Sequence, residues 1–188
     1  MSDFPNWFNI TAKANFEALI HDSLRNNPDA RALQIGAYTG DATEWMATKT
    51  QWTINDVDTW EGSQEDAHEQ MDFRKVEAVY DSRHANNASV HKWKMTSDSF
   101  FNDYEAEPEA YDFIYIDGDH TASQTAKDGL NALPFLKSGG IIAFDDYTWQ
   151  SGKGAYYDPR AGIDAFHHIC KEMVEIMVAN SQVWFKKL

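Results

Sequence analysis

Cysteine is nearly absent from this sequence, with Cys170 the only one. An intrachain disulfide is therefore excluded, a Cys-rich zinc framework is excluded with it, and a reducing, cytoplasmic setting is the expectation. No stretch reaches the roughly 18 consecutive apolar residues of a membrane span. The opening MSDFPNWFNI has neither the basic region nor the apolar run of a leader, so the chain reads as soluble and unprocessed. Positive charge is scarce too: 16 basic against 30 acidic residues give a formal net charge of −14. A field of that sign repels phosphate backbones and anionic membranes, and neither nucleic acid nor a membrane is favoured as a partner. Internal repeats, low-complexity tracts and the GxGxxG fingerprint of dinucleotide-binding folds are all missing.

What is present is apolar and aromatic material. Of the 188 residues 43% are hydrophobic, including seven Trp, eight Tyr and eleven Phe, enough to close a core without staples. That length suits one domain over residues 1–188, with the first 30 as a helical extension. Apolar runs alternate with amphipathic segments every 20 to 30 residues or so, the rhythm of βαβ units in a parallel sheet. The spacing predicts helices over Ala12–Leu24, from about Asp41 (capped by Asp41 or Thr39), within 61–84 after a lid-like loop, over Ser97–Tyr104, Ala122–Leu136 and Arg160–Cys170. Strands are predicted at Ala32–Ile35, Gln51–Val57, Ser89–Trp93, Tyr111–Ile116 and Ile141–Phe144, with KSGG ending the helix before the last of these. A hairpin around Asn180 and Ser181 closes the chain.

Two strand ends carry ligand-binding signals. In ALQIGAYTGD an apolar strand meets Gly36 and Gly40 before a helix, so the backbone can approach a ligand closely at a positive helix end. In TINDVDTWEG the next strand ends in Asp56 and Asp58, and Asp58 lies where an acid can accept both ribose hydroxyls of an adenosine. Trp60 follows as a candidate pocket wall. A third strand, YDFIYIDGDH, ends in Asp117, Asp119 and His120.

Together with YDFIYIDGDHTASQTAKDGLNALPFLKSGGIIAFDDY, VDTWEGS and the closing QVWFKK, these stretches resemble the class I S-adenosylmethionine-dependent methyltransferases, and more narrowly the macrocin O-methyltransferase-like branch. The resemblance runs from about Leu33 to Lys187. It implies an α/β, Rossmann-like doubly wound sheet of seven mostly parallel strands, the C-terminal one reversed, with helices on both faces. It also implies that S-adenosylmethionine lies across the ends of the first two strands, with Gly36 and Gly40 on its methionine half, Asp58 on the ribose, and Ser97 or Asp98 beside the adenine. Gln34, Tyr38, Thr59, Trp60 and Asp117 complete the expected cofactor contacts; relatives usually have an acid where Gln34 stands.

Asp117 ends the fourth strand and Asp145 and Asp146 the fifth, and these ends are neighbours in such a sheet. Three converging carboxylates raise one another's pKa, and a hard divalent cation relieves the repulsion. Relatives bind magnesium or a similar ion at matching acids, so Mg2+ on Asp117, Asp145 and Asp146 is expected. The reaction implied is methylation of a small hydroxylated acceptor. Asp119 is the expected base by resemblance, and His120, with its ordinary pKa of about 6.5, is the competitor. Tyr156, Tyr157 and Arg160 are candidates for acceptor selection, and the chain is expected to be a monomer or homodimer. Two other readings are a cofactor-binding, degenerate domain acting through partners and a nicotinamide-dependent oxidoreductase.

Overall fold

The computed structural model describes residues 4–63, 68–103 and 107–188. Its centre is one seven-stranded sheet: β1 (Arg31–Ile35), β2 (Thr53–Asp58), β3 (Val90–Lys94), β4 (Tyr111–Ile116), β5 (Leu136–Phe144), β6 (Val174–Ala179) and β7 (Val183–Lys187). The order is β3-β2-β1-β4-β5-β7-β6, all parallel except β7, which runs antiparallel to both its neighbours. The chain thus leaves β1 in one direction for β2 and β3, and returns to the other side for β4 and β5. That reversal opens a crevice beyond the carboxyl ends of β1 and β4, where open α/β sheets bind ligands.

Alternation along the strands feeds two cores. Leu33, Ile35, Ile114, Ile116, Ile142 and Phe144 point to one face, where α7 (Ala122–Ala132) and α8 (Pro159–Cys170) cover them with Ala132, Ile163, Phe166 and Cys170. Ala32, Ile54, Phe113, Tyr115 and Trp184 point to the other, under α1 (Trp7–Thr11), α2 (Lys13–Leu19) and α4 (Asp41–Lys49). Phe16 is the hub there, meeting Phe8, Trp45, Phe113, Tyr115 and Trp184 edge-to-face with centroids 5.0–5.4 Å apart. A smaller group of Ala37, Trp60, Val76 and Tyr80 seats α5 (Phe73–His84).

Two elements differ from the sequence expectation. The helix foreseen over Ala12–Leu24 is two pieces, α2 and α3 (Asp22–Arg25), with α1 before them, although Phe8, Ala12, Phe16 and Ile20 still form one buried stripe at four-residue spacing. The stop after Leu19 has an identifiable cause. The Arg25 guanidinium donates to the carbonyls of Ile20 (2.6 Å), Glu17 (2.6 Å) and Phe16 (3.2 Å), partnering groups that a continued helix would have used. KSGG, in turn, ends no helix. After α7 a 3-10 turn, Leu133–Phe135, contains Pro134, which cannot continue the i→i−4 ladder. The SGG residues then bulge within β5, whose pairing jumps from Tyr111↔Leu136 to Phe113↔Ile141.

Candidate active site

Register builds the site. Ile35 pairs with Val57 on one side and Ile116 on the other, and Ile116 pairs with Phe144. Gly36, Asp58, Asp117 and Asp145 are therefore the next residues on four adjacent strands, all at one edge. Backbone bonds carry the ladder one step further, from Gly36 N–H to Val57 (2.8 Å), Asp117 N–H to Ile35 (2.8 Å) and Asp145 N–H to Ile116 (3.0 Å). Beyond this edge lies a cavity of about 490 Å³, bordered by Gly36, Tyr38, Asp58, Thr59, Ser97, Asp98, Asp117, Asp119, His120, Asp145 and Asp146 from the sequence-derived set.

The turn after β1 needs its glycines. Gly36 has φ +87°, and a Cβ there would collide with the Asp117 carbonyl oxygen. Gly40 has φ +81° and itself caps α4, so neither Asp41 nor Thr39 does; a Cβ on it would strike the His84 ring. The Asp58 carboxylate knits the turn to the loop after β2: Oδ2 accepts from the N–H groups of Ala37 (2.8 Å) and Tyr38 (2.9 Å), and Oδ1 from that of Trp60 (2.7 Å). An ionised carboxylate has about four acceptor sites, which leaves capacity for a ligand hydroxyl.

Three members of the expected cofactor set stand behind the cavity instead of on its wall. Gln34 is buried, donating to the Gly36 carbonyl (2.8 Å) and accepting from Thr43 (3.3 Å). Gly40 faces His84, and Trp60 packs on Tyr80 (4.8 Å) while its indole N–H donates to the Tyr38 carbonyl (2.8 Å). Tyr156, Tyr157 and Arg160 do not border the cavity; Arg160 stacks on Tyr147 at 5.0 Å. The loop expected to act as a lid falls partly on residues 64–67, outside the described residues.

At the β4–β5 end, Asp117, His120 and Asp146 form a group whose ligand atoms all lie within 4.8 Å of one another. His120 Nε2 is 3.3 Å from Asp146 Oδ2 and 3.6 Å from Asp117 Oδ1. Asp146 reaches this place because its backbone turns left-handed, φ +58°, immediately past β5. Asp145 also borders the cavity, but its carboxylate is engaged from behind. It accepts from the Tyr115 hydroxyl and, at 2.8 Å, from the Asp146 N–H, while Gln182 donates to that hydroxyl at 3.4 Å. The group that the structure assembles thus has His120 where Asp145 was expected. Burial, with the charges of Asp145 and Asp146 beside it, pushes the Asp117 carboxyl well above the usual range, and burial also raises Asp145 against the Tyr115 hydrogen bond. Asp119 spends Oδ1 on the Thr121 N–H (2.7 Å), and Thr121, not His120, caps α7.

Several cavity residues were not foreseen. Gln124 and Asp128, one turn apart on α7, join the Ser97–Asp98 end: Gln124 Nε2 donates to Asp128 (2.9 Å), Ser97 (3.2 Å) and Asp98 (3.3 Å). Burial pushes the Asp128 carboxyl up to about 6. Their i,i+4 spacing on the predicted helix was a usable signal. Trp7, Thr11, His68, Phe73 and Trp149 also border the cavity, and they carried no local signal.

Strand order, the reversed β7 and a glycine turn facing an acid at the end of β2 define a Rossmann-like methyltransferase fold. The family model described as "Methyltransferase domain" matches residues 33–147, and the chain belongs to that family. It is an S-adenosylmethionine-dependent methyltransferase domain, which sets aside the oxidoreductase reading. Among solved structures, the O-methyltransferase of Bacillus cereus in complex with SAH is similar at 18% identity and TM-score 0.59, over 99% of this chain and 93% of that one. A Streptomyces achromogenes O-methyltransferase involved in tomaymycin synthesis, in complex with SAM, gives 14% and 0.61 over 100% and 92%. A Clostridium thermocellum protein described as a candidate rRNA methylase gives 14% and 0.68 over 95% and 98%. At these identities the likeness is one of fold. No curated protein matches the sequence significantly. Among the described residues no helix is long and apolar enough to cross a membrane.

Proposed function

We propose that the protein transfers the methyl group of S-adenosylmethionine to a hydroxyl oxygen of a small molecule, with a divalent cation held at the β4–β5 end of the cavity. The observation that carries this reading is the shared register of Gly36, Asp58, Asp117 and Asp145 around one cavity. Its volume, about 490 Å³, falls in the roughly 300–1,000 Å³ range of ligand sites. Gly36 and Tyr38 line the methionine half, supported from behind by Gln34 and Gly40. Asp58 holds the ribose, flanked by Thr59 and braced by Trp60, and Ser97 and Asp98 with Gln124 and Asp128 receive the adenine. The motifs favour the macrocin-like branch within the family.

The donor set fits a cation. Mg2+ needs only one or two carboxylates plus water, which Asp117 and Asp146 supply, and the His120 nitrogen extends the set toward Mn2+. A cation bound there would neutralise the carboxylates and make an adjacent hydroxyl more acidic. Asp119, across the Gly118 bend, is the proton acceptor: it borders the cavity, and its Oδ2 accepts no hydrogen bond among the described residues. Most of the rate enhancement comes from holding the acceptor oxygen in line with the methyl group and excluding water.

Calorimetry with the cofactor and mass detection of methylated products from a hydroxylated library test this together. Asp58→Ala is expected to weaken cofactor binding at least tenfold, since hydrogen bonds to a charged group contribute about 1.5–3 kcal/mol. Equal affinity in the variant would remove Asp58 from the ribose site. Cofactor binding without any methylated product would favour the degenerate-domain reading, and turnover unaffected by a chelator would remove the cation.

A further inference from the structure

We infer that the acceptor is a hydroxylated amine that enters as a cation, and that acceptors bearing a carboxylate or phosphate are rejected; this rests on the methyl-transfer reading of the cavity. Seven aspartates border the cavity, and among its described lining residues there is neither lysine nor arginine. Three basic side chains on the surrounding elements already have acidic partners, Lys127 with one on the cavity wall itself. Lys127 pairs with Asp98 (2.5 Å), Arg83 holds Asp41 (2.7 Å) and the Thr39 carbonyl (2.9 Å), and Lys92 bridges Glu77 and Asp81. Of the two lining histidines, His120 already faces Asp117 and Asp146, and His68 Nδ1 is 2.8 Å from the Ser63 hydroxyl.

An acceptor anion would lose its hydration here and meet carboxylates in place of a counter-charge, which is the costly case for burying a charge. An ammonium meets the opposite. A cation at Asp117, His120 and Asp146 cancels charge locally and the cofactor ribose covers Asp58, but Asp119 stays on the same wall. The apolar part of the lining is suited to a cation as well. Trp7, 37% exposed, lies 4.9 Å from the Tyr38 ring and 5.9 Å from that of His68, and Trp149 lies 5.2 Å from His120. Indole faces attract ammonium groups through the ring quadrupole. Carboxylate and indole therefore both select the same sign.

Dopamine, 4-methylcatechol and 3,4-dihydroxyphenylacetate share a catechol and differ in carrying a cationic, neutral or anionic side chain. Their binding to the full chain, loaded with S-adenosylhomocysteine and Mg2+, is measured by calorimetry at low and high salt. The amine is expected to bind at least tenfold more tightly than the carboxylate, with the neutral probe between them. That gap should shrink severalfold in high salt, because part of it is screened Coulomb attraction. Thr11→Lys places the missing base on the cavity wall and should narrow the gap at least threefold by improving the carboxylate. A carboxylate bound as tightly as the amine, an amine that does not bind, or a ratio unmoved by both salt and Thr11→Lys would overturn the inference. Methylation is followed separately with S-adenosylmethionine: the expected binding order without a methylated product would sink the O-methyl-transfer reading and leave the charge preference standing.

Discussion

Asp56 offers a quantitative test of the structure behind the glycine turn. Its side chain is completely buried on β2, two residues before Asp58. Oδ2 accepts from the hydroxyls of Tyr80 (2.6 Å) and Thr43 (2.8 Å), and Oδ1 has no partner among the described residues. Burial pushes the carboxyl up to about 7, with the two hydroxyls pulling against it and the Asp58 charge adding to it. An unfolded aspartate titrates near 3.9. Between about pH 4 and pH 7 the folded chain keeps a proton that the unfolded chain releases, so this group lowers stability as pH rises through that window. At about 1.4 kcal/mol per pH unit the total is at most ~4 kcal/mol. Asp56→Asn keeps a carbonyl acceptor for Tyr80 and Thr43 but leaves a buried amide donor unpaired, at a cost of about 1–3 kcal/mol.

Urea unfolding of both proteins from pH 4 to pH 8 reads the effect. The variant is expected to be less stable near pH 4 and more stable by roughly 1–3 kcal/mol at pH 8, the difference between the two curves changing by about 2–4 kcal/mol. Subtraction removes the contributions of Asp117, Asp128 and Asp145, which burial raises in both proteins. Curves parallel to within about 0.5 kcal/mol would refute the reasoning, because they would mean that Asp56 titrates normally in the folded chain.

Two further substitutions probe the turn and the core. Gly36→Ala forces a Cβ onto the Asp117 carbonyl at φ +87°; calorimetry should show cofactor binding lost, and melting a destabilisation of more than about 2 kcal/mol. Phe16→Ala empties the hub between five aromatic rings and should cost about 3–5 kcal/mol in denaturant unfolding, with a loss under 1 kcal/mol contradicting its place at the centre of that core.

The reading of strands from sequence succeeded where burial follows local period. ALQI, TINDV and YDFIYI are apolar because central parallel strands are covered on both faces, and each ends at a glycine or acid because the edge beyond is a ligand crevice. It failed where a distant partner decided the outcome. Nothing near Leu19 announces that Arg25 will partner the carbonyls behind it, and the glycines of KSGG serve a bulge in β5 as readily as a helix end.

Taken alone, the sequence determined the α/β class, the glycine turn, the position of Asp58 and the presence of acids at two strand ends, since each depends on residues within one strand and its turn. Which side chains at those strand ends turn toward one another was decided by the tertiary structure. Asp145 is held from behind by Tyr115, thirty residues away, and Gln182 binds that tyrosine from 67 residues further on. His120 lies beside Asp146 because Asp146 turns left-handed toward it. Trp7 comes to the cavity only because the apolar stripe of the first helices packs on Phe113, Tyr115 and Trp184. A carboxylate's direction is set by its hydrogen-bond partners, and these come from other elements of the fold.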